Sequence, residues 1–207
     1  MRTGIRGQNS EVRKAKSKSP GPTSKVAGQE ARARFGSSSD KKCSAQNWAF
    51  VALGANLGSP RQNILRAIER LQKFSAAPLL RSSLWRTAPE DCPPGSPVFV
   101  NAVIGLAAQA GETPESLLAK LQALEKEFGR GRKKTLNEPR PLDLDLIAFG
   151  KEKRASKELV LPHPRVHKRR FVLQPLSEIA PELVLPGQSG SVAELLAELA
   201  PDDICQI

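Results

Sequence analysis

The stretch Glu138-Pro-Arg-Pro-Leu-Asp-Leu-Asp-Leu-Ile-Ala-Phe149 decides the fold. From Leu142 to Phe149 every position is apolar except Asp143 and Asp145. Side chains in a strand alternate faces with period two. Read as a strand, the segment puts both carboxylates on one face and Leu142, Leu144 and Leu146 on the other. Two like charges on an apolar strand repel each other and are costly to desolvate. A divalent cation shared between them removes both costs, and oxygen-only ligands suit magnesium, which takes one or two carboxylates plus phosphates. Arg140, just upstream, can pair bidentately with phosphate. An ordinary strand with a solvent-exposed acidic face fits the same spacing, so the pattern alone leaves both readings open.

Working back from this strand, Arg130-Gly-Arg-Lys-Lys134 is a basic, glycine-containing loop that runs straight toward it. A solvated face is the ordinary role of such a loop; a phosphate clamp is the other. The preceding helix is capped by Thr113, with Pro114 at its first position and Ser116 three residues after the cap. Leu117, Leu121, Leu124 and Phe128 form its apolar stripe, Gln122, Glu125 and Gly129 share another face, and Gly129 ends it. Val98 to Ala107 reads as a strand with one polar member, Asn101, either a satisfied core amide or a ligand-facing one. A loop with four prolines, Thr87 to Pro97, precedes it and is long enough to carry a binding surface. Leu79 to Arg86 is a strand. Ser59 and Pro60 open a helix with Ile64, Ile68, Leu71 and Phe74 on one stripe, following the strand Trp48–Leu53 and the turn Gly54–Gly58.

Beyond Gly150 the pattern weakens. Leu159 to Pro164 is extended because each proline biases its predecessor away from helix. Ser177 to Ala180 reads as a helical turn, and Ser191 opens a last helix through Leu199. A lone His163 is more often structural than functional. The order β-α-β-β-α-β plus a C-terminal extension is the ferredoxin-like α+β pattern, in which helices cover one sheet face. Fold alone says nothing about chemistry.

Bulk properties bound the rest. The 207 residues suffice for one domain plus a tail, and the formal net charge is +11. Residues 1–46 hold 11 Lys/Arg against 3 Asp/Glu, a net +8. Being poor in large apolar residues, this segment is expected to be a disordered basic extension, with the domain at 47–207. Its Arg/Ser-rich composition weakly resembles an organelle transit peptide; a solvated extension or a start codon assigned too early fits it better. No apolar run reaches the roughly 18 residues of a membrane span, and there is no signal-peptide pattern. Cys43, Cys92 and Cys205 form no CxxC pair, which indicates neither a disulfide framework nor a zinc site and points to a reducing, cytoplasmic setting.

Six motifs in register carry a family resemblance: Phe50–Gly58, Arg86-Thr87 with Phe99-Val-Asn101, Phe128–Arg132, Pro139–Leu146, Leu161–Phe171 and Pro175–Pro181. Together they resemble the 6-hydroxymethyl-7,8-dihydropterin pyrophosphokinases of the folate pathway, over about residues 47–207. The resemblance implies transfer of the βγ-diphosphate of ATP to the hydroxymethyl oxygen of the pterin, releasing AMP, with two Mg2+ ions. It implies Asp143 and Asp145 as metal ligands. It implies ATP contacts at Gln122, Glu125, Arg130, Arg132, Arg140, Leu146, His163 and Arg169, and a pterin site at Thr87, Phe99, Asn101 and Phe171. Arg130, Arg140, Asp143 and Asp145 are then the catalytic set. Partners are ATP and the pterin, with no nucleic acid and no membrane, and the chain is expected to be a monomer.

The sequence departs from the family at Asn137 and Glu138, where an aromatic and a glycine are frequent, and at Ala88, where a proline is frequent. Glu138 beside phosphates disfavours their charge unless it turns away, so loss of activity on a retained fold is one alternative. A nucleic-acid-binding module is another, because ferredoxin-like sheets bind RNA and the tail is basic. RNA readers place aromatics on the sheet; this chain has 7 Phe, 2 Trp and no Tyr. Its strand faces carry Asp and Asn, and carboxylates repel phosphate without a metal.

Overall fold

The computed structural model describes residues 47–90, 92–131, 138–201 and 204–207. Along the chain come β1 (Trp48–Ala55), α1 (Pro60–Leu71), β2 (Leu80–Arg81), β3 (Trp85–Thr87), β4 (Phe99–Ala107), α2 (Pro114–Glu127), β5 (Asp143–Phe149), β6 (Arg154–Ala155), β7 (Val160–Leu161), α3 (Arg170–Ile179), α4 (Val192–Glu198) and β8 (Ile204–Gln206). The main sheet runs β5-β1-β4-β3-β8, with β2 also on β4. All of these pairs are antiparallel. The expected ferredoxin-like order is therefore present, while the extension over residues 1–46, including Cys43, lies outside the described residues.

The alternation in the sequence becomes two cores. On one face Leu142, Leu144 and Leu146 join Val51 and Leu53 beneath the stripes Ile64, Ile68, Leu71 of α1 and Leu117, Leu121, Leu124 of α2. On the other, Phe50, Val103 and Ile147 meet Val172, Leu173, Leu176 and Ile179 of α3 and Val192 and Leu195 of α4. The expectation of helices on one face is thus incomplete, because the C-terminal extension supplies a third layer. A register shift opposite Ile147 lets Ile147 and Ala148 both enter the α3 core while Phe149 returns to the α1/α2 core.

Three local outcomes differ from the sequence reading. The strand over 79–86 is broken, because Ser82 puts its hydroxyl into the ladder: Val103 N donates to Ser82 Oγ at 2.9 Å while Ser82 N donates to Val103 O at 3.0 Å. The helical turn at 177–180 is the end of a ten-residue helix. Pro175 inside it removes one backbone donor and costs about 3 kcal/mol. Burial of Val172, Leu173, Leu176 and Ile179, at about 1.5–3 kcal/mol each, outweighs that cost. Ser59 precedes α1 without a side-chain cap bond.

The α2 start matches the sequence. Thr113 Oγ1 accepts from Ser116 N at 3.1 Å, and Ser116 Oγ accepts from Thr113 N at 3.0 Å, a closed capping box. No described helix is long and apolar enough to cross a membrane. Thr113→Ala, which removes one half of that box, is expected to lower the unfolding free energy by about 1 kcal/mol. Denaturant unfolding with an unchanged slope checks this.

Candidate active site

The site is a row of side chains across the sheet on the α3 face. Asp143 pairs in register with Gly54, Gly54 with Asn101, and Asn101 with Trp85; one step along, Asp145 pairs with Ala52 and Ala52 with Val103. The two residues between the carboxylates and the amide are therefore the smallest available. A Cβ added to Gly54 lies 3.0 Å from Asn101 Oδ1 and 3.9 Å from Asp143 Cβ. The missing side chain opens a floor, and above it lies a cavity of about 220 Å³.

All four residues expected at the pterin line this cavity: Thr87, Phe99, Asn101 and Phe171. Asn101 is buried and donates from Nδ2 to Thr87 Oγ1 at 2.8 Å. That bond fixes the amide so that Oδ1 faces the Gly54 floor. Of its two open readings, the ligand-facing one fits the position, and one of its donors is also satisfied internally.

Asp143, Asp145, Arg130, Arg140, His163 and Arg169 line the same cavity. Asp143 is bridged by Arg130 at 2.6 Å and by Arg140 at 3.0 Å. Burial, then the adjacent Asp143 charge, push Asp145 well above the usual carboxylate range, although Arg169, Arg130 and Arg140 pull the other way. Burial opposes the Arg130 charge, but Asp143 and Glu125 outweigh it and hold the guanidinium above its ordinary value. Arg140 stands 5.8 Å from the Phe99 ring centroid and Arg169 5.4 Å from that of Phe171. Arg140 Nε is buried with no hydrogen-bond partner among the described residues. A buried guanidinium N–H in that condition calls for an acceptor.

Burial pushes the His163 imidazole down to about 4, helped by the guanidiniums of Arg169 and Arg165. It is neutral at pH 7. Its Nδ1 accepts from Arg165 N at 3.3 Å, so Nε2 carries the proton and is a donor.

Other expected ATP contacts lie elsewhere. Gln122 is exposed on α2, outside the cavity lining. Leu146 is packed in the α1/α2 core, because strand alternation turns it from the carboxylate face. Glu125 sits behind the lining, where it pairs with Arg130 and its Oε1 accepts from Leu144 N at 2.7 Å. Arg132 and Asn137 lie outside the described residues. Glu138 lines a smaller neighbouring cleft with Arg130 and Arg140.

Sequence reasoning missed Asn56. It is 3 % exposed; its Oδ1 accepts from Arg140 N at 2.8 Å and its Nδ2 donates to Pro97 O at 3.2 Å. With Asn56 N and Leu57 N both donating to Arg140 O, the turn after β1 grips the arginine backbone from both sides. Nothing in a Gly-Ala-Asn-Leu-Gly turn distinguishes that role from a simple turn amide. Arg165, in the proline-rich connection before α3, also lines the cavity and is absent from the expected site residues.

Two carboxylates beside crowded guanidiniums around one cavity are side chains suited to a polyphosphate and its counter-ion. That places the chain among phosphoryl-transfer enzymes built on a ferredoxin-like fold. Comparison with known proteins is specific. The family model "7,8-dihydro-6-hydroxymethylpterin-pyrophosphokinase (HPPK)" matches residues 50–181. The chain is 36% identical over 152 residues to a 2-amino-4-hydroxy-6-hydroxymethyldihydropteridine pyrophosphokinase of Haemophilus influenzae, covering 73% of this chain and 92% of that one. It is 38% identical over 159 residues to the folic acid synthesis protein fol1 of Pneumocystis carinii, covering 75% of this chain but only 20% of that longer protein. Among solved structures, an HPPK-DHPS in complex with substrates superposes with a TM-score of 0.59 at 13% identity, over 73% of this chain and 43% of that one, a likeness of fold. The chain belongs to the 7,8-dihydro-6-hydroxymethylpterin pyrophosphokinase family. Membership brings the reaction class, ATP-dependent pyrophosphoryl transfer to a hydroxymethyldihydropterin in folate synthesis.

Burial raises Glu125 from 4.5 to about 7, against the Leu144 N–H and Arg130 that favour its charge. A carboxyl whose folded value is raised binds its proton more tightly in the folded state. Its contribution to stability is full below 4.5 and is lost as pH rises through about 7. Relative to Glu125→Gln, the protein without ligands is expected to lose on the order of 2 kcal/mol across that window. Denaturant unfolding of both proteins over the window reads this difference.

Proposed function

We propose that this chain transfers diphosphate from ATP to 6-hydroxymethyl-7,8-dihydropterin with Asp143 and Asp145 as magnesium ligands, Arg130, Arg140, His163 and Arg169 on the triphosphate, and Thr87, Phe99, Asn101 and Phe171 on the pterin. The observation that carries this assignment is the single row Asp143–Gly54–Asn101, which sets a carboxylate and an amide on either side of an open floor. Two strand spacings separate them, roughly 10 Å, enough for a flat heterocycle at one end and phosphates at the other.

The donor set fits magnesium. Two oxygen ligands on one face, of which Asp145 carries its charge at a cost, match a hard cation that takes its remaining ligands from phosphates and water. Guanidiniums already bridge Asp143, in the place a second positive charge would take. When bound, two magnesium ions would supply neutralisation of the phosphate oxygens and orientation of the alcohol.

The chain's own residues do the rest. Asn101 offers a donor and an acceptor to the pterin edge, and the Phe99 and Phe171 rings supply stacking walls. The hydroxymethyl oxygen bonds to the β-phosphorus as the bond from that phosphorus to the α,β-bridging oxygen breaks. AMP departs on the bridging oxygen, and the hydroxyl proton goes to solvent or a phosphate oxygen. Arg140, whose backbone is fixed by Asn56, and Arg130, held by Glu125, neutralise charge on the transferred group. The neutral His163 donates from Nε2 without adding to the crowding of Arg165 and Arg169. Glu125 acts through Arg130 and through the Leu144 N–H between the two aspartates, so it serves the ATP site indirectly.

AMP is expected only when ATP, magnesium and the hydroxymethyl-dihydropterin are all present. Asp143→Ala and Asp145→Ala are each expected to lower kcat by about 100-fold or more while the folded protein persists by circular dichroism. Near-normal turnover in either variant sinks the ligand assignment. Gly54→Ala, which crowds the Asn101 amide, is expected to raise KM for the pterin about tenfold with KM for ATP little changed, as steady-state kinetics in each substrate will show.

A further inference from the structure

The Glu178 carboxylate spans two elements that carry opposite walls of the cavity. Its Oε2 accepts from Ser83 N at 2.6 Å, and its Oε1 accepts from the Trp85 indole Nε1 at 2.6 Å. Both oxygens are thus taken by donors of the broken β2–β3 segment, short bonds at the charge-assisted end of the scale. Glu178 itself belongs to α3.

The position matters because of what else these elements hold. Phe171 lies seven residues before Glu178 in α3, two helical turns and about 10 Å along the axis on the same side. Thr87 lies two residues after Trp85, on the same face of β3. Trp85 is also the register neighbour of Asn101, and Thr87 that of Phe99. The tether therefore lies at one end of the α3–β3 contact, and the cavity lies at the other. Phe171 and Val172 form the α3 wall; Thr87, Phe99 and Asn101 form the wall opposite.

β3 has three residues and lies between β4 and β8, the latter through Trp85–Gln206, Arg86–Cys205 and Thr87–Ile204; just before it Ile207 N donates to Leu84 O and Gln206 Nε2 to Ser83 Oγ, each at 2.9 Å. None of these bonds reaches α3, and the Glu178 carboxylate does. Short strands with few ladder bonds move easily unless tied by side chains. The seating of α3 on β3 sets how far apart the Phe171 and Phe99 rings stand, and stacking weakens steeply with a gap of even half an ångström.

We propose that Glu178 is a positioning residue for the reaction: by joining α3 to Ser83 and Trp85 it sets the width of the slot between Phe171 and the Thr87–Asn101 wall, and so governs affinity for the flat heterocyclic substrate. This rests on the assignment of that slot to the pterin. It does not extend to ATP, whose expected contacts come from β5, the α2 C-terminus and the loop before α3.

The test is steady-state kinetics of the full chain well below its melting temperature, with Glu178→Gln and Trp85→Phe. Glutamine has the size of glutamate but can satisfy only one of the two donors. Glu178→Gln is expected to raise KM for the pterin about tenfold with KM for ATP within about twofold of wild type. Trp85→Phe keeps the Ser83 bond and is expected to raise the pterin KM about threefold. A merely structural role would lower the melting temperature and the active fraction, hence apparent kcat, and leave both KM values alone; that result in an active wild-type background overturns the proposal. If Glu178→Gln does not fold, an unchanged pterin KM in Trp85→Phe overturns it equally. A wild type that makes no AMP from ATP and the pterin overturns instead the functional reading beneath it.

Discussion

Two carboxylates forced onto one face of an otherwise apolar strand are the constraint on which the rest of the site depends. Strand alternation leaves Asp143 and Asp145 no choice of side once Leu142, Leu144 and Leu146 are buried beneath α1 and α2. Their repulsion must be answered, and the fold answers it with Arg130 and Arg140 on Asp143 and with Arg169 near Asp145. Two of these arginines are in turn held by something less conspicuous. Glu125 holds Arg130, and Asn56 grips the backbone at Arg140. The acidic pair and the cationic ring are two parts of one electrostatic balance.

Small residues matter here as much as charged ones. Gly54 and Ala52 stand in the same cross-strand rows as Asp143 and Asp145, and their lack of bulk leaves the floor of the cavity open. The central strand thereby serves both layers: Val51 and Leu53 fill the α1/α2 core with one face, while Ala52 and Gly54 leave space on the other. The third layer, α3 with α4, closes that space on one side. It does so in spite of Pro175, because four buried apolar side chains on α3 contribute more than one lost backbone bond.

How α3 is seated decides the shape of the site. Its N-terminal end presents Phe171, with Arg169 just before it, and its C-terminal end carries Glu178 to Ser83 and Trp85. The helix thus joins the Glu178 tether to one wall of the cavity. This coupling joins residues 85–87, 99–101 and 169–178, three segments far apart in the chain, into one slot.

The sequence by itself determined the order of strands and helices as far as β5, the core beneath α1 and α2 in outline, and ten of the residues that line the cavity. Period-two alternation fixed the shared face of Asp143 and Asp145, and the capping pair Thr113 and Ser116 fixed the start of α2; both are local and need no knowledge of the rest of the chain. The family motifs point to Thr87, Phe99, Asn101 and Phe171 as the residues expected at the pterin, and the fold gathers them around one cavity. Alternation alone also turns Leu146 from the carboxylate face; only the tertiary structure decided that Gln122 lies outside the cavity lining, that Glu125 stands behind it, and that Asn56 and Glu178 hold other groups in place. Their roles depend on partners 84, 95 and 93 positions away in the chain, Arg140, Ser83 and Trp85 for the last two. A local pattern specifies which face a side chain occupies; which distant group it meets there is set by the packing of whole layers.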